Sequence, residues 1–284
     1  MIAFLAALSL AGADDVPAAS QPPEPIVIGE ALGFDALGEE RRVNIILPLE
    51  YEAEPEREWP VIYMLDGGVR QDIAMGIGIA RWNAMWGRSR DAIIVGIETH
   101  DRQRELLPPT SDAGEAERYP SAGQSEQFRQ WIAQSVKPAV EARYRHDGTA
   151  FLVGESAAGH FVVETWAAEP GLFDGYAAIS PSLQWNDEIL SRRIAGADGA
   201  SRPKIYLSLA DEGGATETGM ERLLSALGEG QAFCFSDRRS DLVHATSLHG
   251  LLPEAFQYLL PTDADWLEEF GFTLRCDRRG PAGD

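Results

Sequence analysis

Short apolar runs rich in β-branched residues recur along the chain, separated by longer stretches in which polar positions return every third or fourth residue. The runs at 43–47, 61–65, 93–97, 151–153, 176–179, 205–209 and 232–235 predict strands. The later ones are apolar without alternation, the pattern of parallel strands covered on both faces. Phe128, Trp131, Ile132, Val136, Val140 and Tyr144 recur at helical spacing and predict a helix over 125–144, kinked or broken at Pro138. Further helices are expected at 157–168, 216–227 and 253–260. Strands alternating with helices define an α/β chain with a mostly parallel sheet and helices on both faces. No repeat or low-complexity stretch divides it, so residues 26–284 read as one domain. Residues 101–124 are polar and irregular, and a connection of that length marks a lid or a binding loop.

The two ends bear on compartment. Residues 1–13 are apolar and close on Ala11-Gly12-Ala13, which predicts a secretory signal peptide, although no Lys or Arg precedes the run. The stretch is too short to span a bilayer. Residues 14–25, rich in Ala, Pro and acid, read as a linker. The expectation is a periplasmic or secreted protein, or a cytoplasmic one if the apolar run is no signal. Cys234 and Cys276 are the two cysteines. In an exported chain they pair as a disulfide tying the tail to a late strand; otherwise Cys234 is a reduced core thiol. Without a Cys-x-x-Cys or a Cys/His cluster, structural zinc is not expected.

Composition then removes several classes of function. Seven Trp, seven Tyr and eleven Phe in 284 residues exclude disorder as a description of the whole chain. With 24 Lys and Arg against 45 Asp and Glu, the net charge of −21 argues against nucleic acid and against anionic lipid as partners.

The segment that carries chemistry follows the strand at 151–153. It reads Gly154-Glu155-Ser156-Ala157-Ala158-Gly159 and runs into a helix. A nucleophile elbow needs this context: the Ser occupies a tight strand-to-helix turn, so the residues two before and two after it must be small. The helix N-terminus favours negative charge there, and the Ala157 amide can face a developing oxyanion. Ala158 stands where the strict pattern has Gly. The rest of a triad must follow as acid and His. His100 precedes the Ser, His146 falls in a polar turn, and His160 sits on the helix after the elbow, where it packs. His244 and His249 remain, both expected on the loop before the last helix. For the acid, Asp211 and Glu212 follow the strand at 205–209, with Glu217 a third candidate. Gly67 and Gly68, just past the strand at 61–65, allow the close backbone approach that a second oxyanion donor requires. Gly76-Ile77-Gly78 lacks the strand context and the third glycine of a dinucleotide site.

At this point the chain resembles the family of α/β-hydrolases that includes esterase D, enterobactin esterases, feruloyl esterases and the mycolyltransferases. The resemblance runs from about Arg41 to Leu260. It is carried by residues 42–48, Trp59 to Gly68, the Arg102-Gln103-Arg104-Glu105-Leu106-Leu107-Pro108-Pro109-Thr110 loop, Gly154-Glu155-Ser156, Ser180 to Trp185, and 244–260. It implies an α/β-hydrolase fold and a serine carboxylic-ester hydrolase acting on a small-molecule ester without metal or organic cofactor. It selects His244 over His249 as the base, and places Glu212 ahead of Asp211 as the acid. It also implies that Arg102, Arg104 and Trp185 lie at the substrate mouth. Glu155 and Ala158 depart from the His and Gly frequent in relatives. Acyl transfer with the same nucleophile, a Ser peptidase, and a non-catalytic exported binding protein of the same fold are the alternatives.

Overall fold

The structure, a computed structural model, describes residues 24–196 and 202–281. The expected signal segment at 1–13, and the linker up to residue 23, lie outside the described residues. Among the described residues nine strands form one sheet: β1 (Glu30–Ala36), β2 (Glu39–Ile46), β3 (Trp59–Leu65), β4 (Ile93–Ile97), β5 (His146–Glu155), β6 (Gly175–Ile179), β7 (Lys204–Leu209), β8 (Phe233–Asp237) and β9 (Arg278–Arg279). Their spatial order is β1-β2-β4-β3-β5-β6-β7-β8-β9. From β4 to β8 every pairing is parallel, whereas β1, β2 and β9 are antiparallel at the two edges.

Both faces are covered, as the unbroken apolar strands require. Alternate β3 residues serve opposite cores. Val61, Tyr63 and Leu65 join Phe128, Phe161 and Met220 on one side. Ile62 and Met64 join Ile73, Ile77 and Leu251 on the other. The second layer is made by α1 (Ile73–Met85) and α9 (His244–Leu259), the first by α4 (Ser125–Trp131), α6 (Ala157–Ala168), α7 (Trp185–Ala195) and α8 (Gly214–Ala226) among others.

Three expectations change. The helix foreseen over 125–144 is α4, a π-helical turn at Ile132–Val136, then α5 (Lys137–Glu141). Lys137 N–H reaches back to Ile132 O, the wider π bond, and Pro138 sits in the first turn of α5, where a missing N–H is harmless. Residues 101–124 are not wholly irregular, since they hold α2 (Arg102–Leu106) and α3 (Ala113–Arg118), each capped by an Asp side chain. The last helix begins at His244, not at Pro253; Val243 N–H donates to Thr246 Oγ1 at 3.1 Å and opens it nine residues earlier.

Cys234 on β8 and Cys276 form a disulfide that closes a separation of 42 residues. It brings β9 onto the edge of β8, pairing Cys234 with Arg279 and Phe235 with Arg278. Opening a loop of that size is expected to lower the unfolding free energy by about 2–4 kcal/mol. Urea denaturation of Cys276→Ser beside the unaltered chain measures it. Among the described residues, no helix is long and apolar enough to cross a membrane.

Candidate active site

Strand β5 ends at Glu155, and Ser156 turns the chain into α6 with φ 60° and ψ −118°. That left-handed backbone is strained for a side chain other than glycine, and the packing around it explains why it holds. A Cβ at Gly154 would lie 2.7 Å from the backbone of Ala158, and one at Gly159 would lie 3.0 Å from Ile179 O. Small residues two before and three after the serine therefore let α6 lie tight against β5 and β6. Ser156 N–H donates to Ile179 O at 3.0 Å, fixing the turn against the neighbouring strand.

Three elements converge on this serine from separate parts of the chain. His244 Nε2 lies 3.0 Å from Ser156 Oγ, and His244 Nδ1 lies 2.7 Å from Glu212 Oε1. A carboxylate only accepts, so Nδ1 carries the proton and Nε2 is left bare toward the serine hydroxyl. The hydrogen bond that His244 Nδ1–H donates to Glu212, with the charge of Glu155 added, holds the His244 pKa above its ordinary value. The backbone explains how acid and base meet. Asp211 pairs with Val243 in a parallel bridge, and Asp211 N–H donates to Leu242 O at 2.8 Å. This rung ties the end of β7 to the start of α9, and the residues one step beyond each are Glu212 and His244. The Asp211 side chain itself is exposed and does not reach the imidazole. His249, on the exposed side of α9, is likewise outside the group.

Glu155 is a second carboxylate at this imidazole, and its role went unread in the sequence. Its Oε1 lies 3.3 Å from His244 Nε2 and accepts from Ser247 Oγ at 3.2 Å. Burial pushes the Glu155 carboxyl up, with His244 and Arg102 pulling the other way. The position is legible only once α9 is known to start at His244, which puts Ser247 one turn on. An imidazole used as general base works unprotonated, so in that role the raised His244 pKa would move the acid limb of a pH–rate profile upward. Removing the Glu155 charge removes part of that rise. In Glu155→Gln the acid limb of kcat/KM for p-nitrophenyl butyrate is therefore expected at lower pH than in the unaltered chain.

The oxyanion expectations divide. Ala157 is the first residue of α6, so its N–H has no intrahelical acceptor and stands beside the serine. Gly67 does not offer a donor, because its N–H is bonded to Ile97 O at 2.8 Å. Its lack of a side chain serves close packing instead, since a Cβ there would meet Gly96 Cα at 2.2 Å. Gly68 N–H donates to Gln71 Oε1 at 2.9 Å, and Gln71 is anchored in turn on Thr99.

The basic pair at 102 and 104 is split by the helix they share. Two positions along an α-helix are about 200° apart, so the side chains leave α2 on opposite faces. Arg102 turns to the site, where its Nε donates to Asp66 Oδ2 at 2.8 Å and it lines the cleft with Ser156 and His244. Arg104 turns to the scaffold, pairing with Glu39 at 2.7 Å and with Glu105 at 2.8 Å, and is not at the mouth. Glu105 also receives the buried Arg41 in a two-bond pair, which clamps α2 to β2. Trp185 is buried and lines the cleft, its Nε1 donating to Pro108 O at 2.9 Å. Ser182, Gln184 and Tyr119 complete a cleft of about 310 Å³. Ser182 N–H donates to Ser156 O at 3.0 Å.

Residues 35–224 match the family described as Putative esterase, a span that contains Ser156 and Glu212 and ends before His244. Over 169 residues the chain is 29% identical to the ferri-bacillibactin esterase BesA of Bacillus subtilis, covering 55% of this chain and 58% of that protein. It is 29% identical over 168 residues to the siderophore triacetylfusarinine C esterase of Aspergillus fumigatus, covering 52% of this chain and 53% of that protein. The chain thus matches little more than half the length of these curated relatives. Among solved structures, the BES protein of Bacillus cereus superposes with a TM-score of 0.71 at 19% identity, covering 86% of this chain and 100% of that one. An IroE-like serine hydrolase from Shewanella oneidensis gives 0.70 at 22% identity, covering 82% and 80%. At such identities the likeness is one of fold. The family match, which takes in well over half of the residues, makes the chain a member of the Putative esterase family on an α/β-hydrolase fold.

Proposed function

We propose that the chain is a serine hydrolase of carboxylic esters with small-molecule substrates. The observation that carries this is His244, with one ring nitrogen 3.0 Å from Ser156 Oγ and the other 2.7 Å from Glu212. Ser156 Oγ attacks the ester carbonyl carbon, and its proton passes to His244 Nε2. Glu212 keeps the ring oriented and stabilises the imidazolium. The oxyanion is received by the Ala157 amide, joined by Gly68 N–H when Gln71 Oε1 yields its bond to the substrate oxygen. His244 returns the proton to the departing alcohol. A water then enters, gives its proton to the same nitrogen and attacks the acyl-enzyme, which releases the acid and restores Ser156.

The names of the relatives supply the first substrates to try, since those proteins are called esterases of ferri-bacillibactin and of triacetylfusarinine C. The proposal includes a compartment outside the cytosol, where the Cys234–Cys276 bridge persists. Arg102, anchored on Asp66 at the cleft wall, is the cation we assign to the substrate side.

The test is turnover of p-nitrophenyl acetate and butyrate together with covalent labelling by an organophosphonate. The expected result is ester cleavage and modification at Ser156. Absence of both in the folded protein would sink the proposal.

A further inference from the structure

The opening turn of α7 is left-handed. Asn186, Asp187 and Glu188 have φ of 49°, 54° and 57° with ψ of 53°, 48° and 28°. Single Asn or Asp residues visit this region, but three side-chain-bearing residues in succession crowd Cβ against carbonyl oxygen at every step. Strain of this kind persists only where surrounding contacts enforce it, and it gathers at clamps and switches. The turn directly follows Trp185, a wall of the Ser156 cleft.

Two of the three residues are held by the helices behind them. Glu188, 7% exposed, pairs with Arg222 of α8 at 3.1 Å, and Asp187 pairs with Arg192 of α7 at 3.1 Å. Asn186 is held instead by residues 109–115. Its N–H is shared by the two Glu115 carboxylate oxygens at 3.1 and 3.0 Å. Its Oδ1 accepts from Ser111 N–H at 3.0 Å and from Ser111 Oγ at 2.8 Å, and its Nδ2 donates to Pro109 O at 3.4 Å. Thr110 Oγ1 donates to Glu115 Oε2 at 2.6 Å, which aims that carboxylate.

Packing does not hold the segment that Asn186 grips. From Pro108 to Gln124 no residue is buried. The two ends meet in a neck, where Gly123 N–H donates to Leu107 O at 3.1 Å and Gln124 N–H to Arg104 O at 2.8 Å. Gly123, at φ 125°, makes the turn that the neck requires. Beyond the neck, every hydrogen bond from residues 108–122 to the rest of the described molecule goes to Trp185 or Asn186. Tyr119 of this segment lines the Ser156 cleft, its ring centroid 6.0 Å from that of Trp185. A loop closed at its neck, unburied along its length and pinned at one strained turn belongs to the least stable part of a fold.

We propose that residues 108–122 are a lid on the Ser156 cleft and that Asn186 is its latch, selecting which esters gain entry. The latched state works against its own backbone, so release lets 186–188 relax as Tyr119 leaves the cleft. With the lid down, the cleft of about 310 Å³ suits a short acyl ester. A long acyl chain enters only the fraction of molecules with the lid up, and its apparent affinity falls by that fraction. Selection among esters rests on the activity proposed for Ser156; the latch itself does not.

The test pairs amide hydrogen exchange over residues 109–119, read by mass spectrometry, with kinetics on p-nitrophenyl acetate and decanoate. Asn186→Ala removes the side-chain ties and takes the left-handed turn less readily than Asn. Exchange over 109–119 is expected to quicken by about tenfold or more, while peptides from α6 keep their rates. KM for the decanoate is expected to fall by about fivefold or more, with KM for the acetate kept within about twofold. Glu115→Ala removes the other half of the latch from the exposed α3 and is expected to act alike. Unchanged exchange in both variants overturns the latch. Quickened exchange with the two KM values moving together, or with neither moving, overturns the lid. A chain that cleaves neither ester refutes the activity at Ser156, and exchange alone then decides the latch. Circular dichroism establishes that each variant is folded, and if one is not, the other decides.

Discussion

Ser156→Ala is expected to lower kcat/KM for p-nitrophenyl butyrate by on the order of 10⁵–10⁶-fold, the scale on which a serine hydrolase loses its nucleophile. The size follows from the absence of a ready substitute. Ser182 Oγ lies 3.5 Å from Ser156 Oγ, close enough to touch it, but Ser182 is not on the strained turn, and it is the Ser156 hydroxyl that meets His244 Nε2. What survives should be the contribution of binding and of the Ala157 amide, roughly 10³–10⁴ over water. Steady-state kinetics on the folded variant measure the loss, with organophosphonate labelling as the second readout. A variant that keeps more than about a hundredth of the rate would remove Ser156 from its assigned role.

The next largest effect belongs to the acid. Glu212→Gln keeps an oxygen that can accept from His244 Nδ1 but removes the charge that stabilises imidazolium and selects the tautomer. A loss of about 10³–10⁴ in kcat is expected, with little change in KM, since the carboxylate acts through the ring and not on the substrate. Asp211→Asn should stay within about threefold of the unaltered chain, as an exposed side chain away from the imidazole dictates. The two variants measured side by side decide the assignment, and the reverse order of losses would exchange the residues.

The interior strands were legible because a strand buried on both faces is written as an unbroken apolar run, and β3 to β8 all carry one. The edges were not. In β1, Leu32, Phe34 and Ala36 do alternate inward, but Gly33 and Asp35 between them read as a turn. The two residues of β9 are both Arg; what sets them on β8 is the adjacent disulfide and the β8 edge, not a pattern of their own. The nucleophile was legible from local sterics, because small residues around Ser156 encode the turn directly. Glu155 was not, since its contact with His244 joins positions 89 residues apart and depends on where α9 begins. That start was missed through Pro253, which reads as a first-turn residue yet lies in the interior, where Pro253 O takes a bond from Asn83 of α1. Arg104, which the resemblance places at the mouth beside Arg102, faces the scaffold because both residues lie on α2, where two positions turn a side chain by about 200°.

Position 211 follows a rule of its own in any set of variants of this chain. Its carboxylate touches nothing that matters to the imidazole, whereas its amide holds the rung to Leu242 that keeps Glu212 and His244 side by side. Nearly every side chain leaves that amide in place, so substitutions there should be broadly neutral. Proline alone deletes the N–H, and with it the backbone bond to Leu242 that ties the acid loop to the base loop. A site of this kind looks dispensable under alanine scanning and indispensable under proline scanning, and the difference between the two separates what a residue's side chain does from what its place in the backbone does.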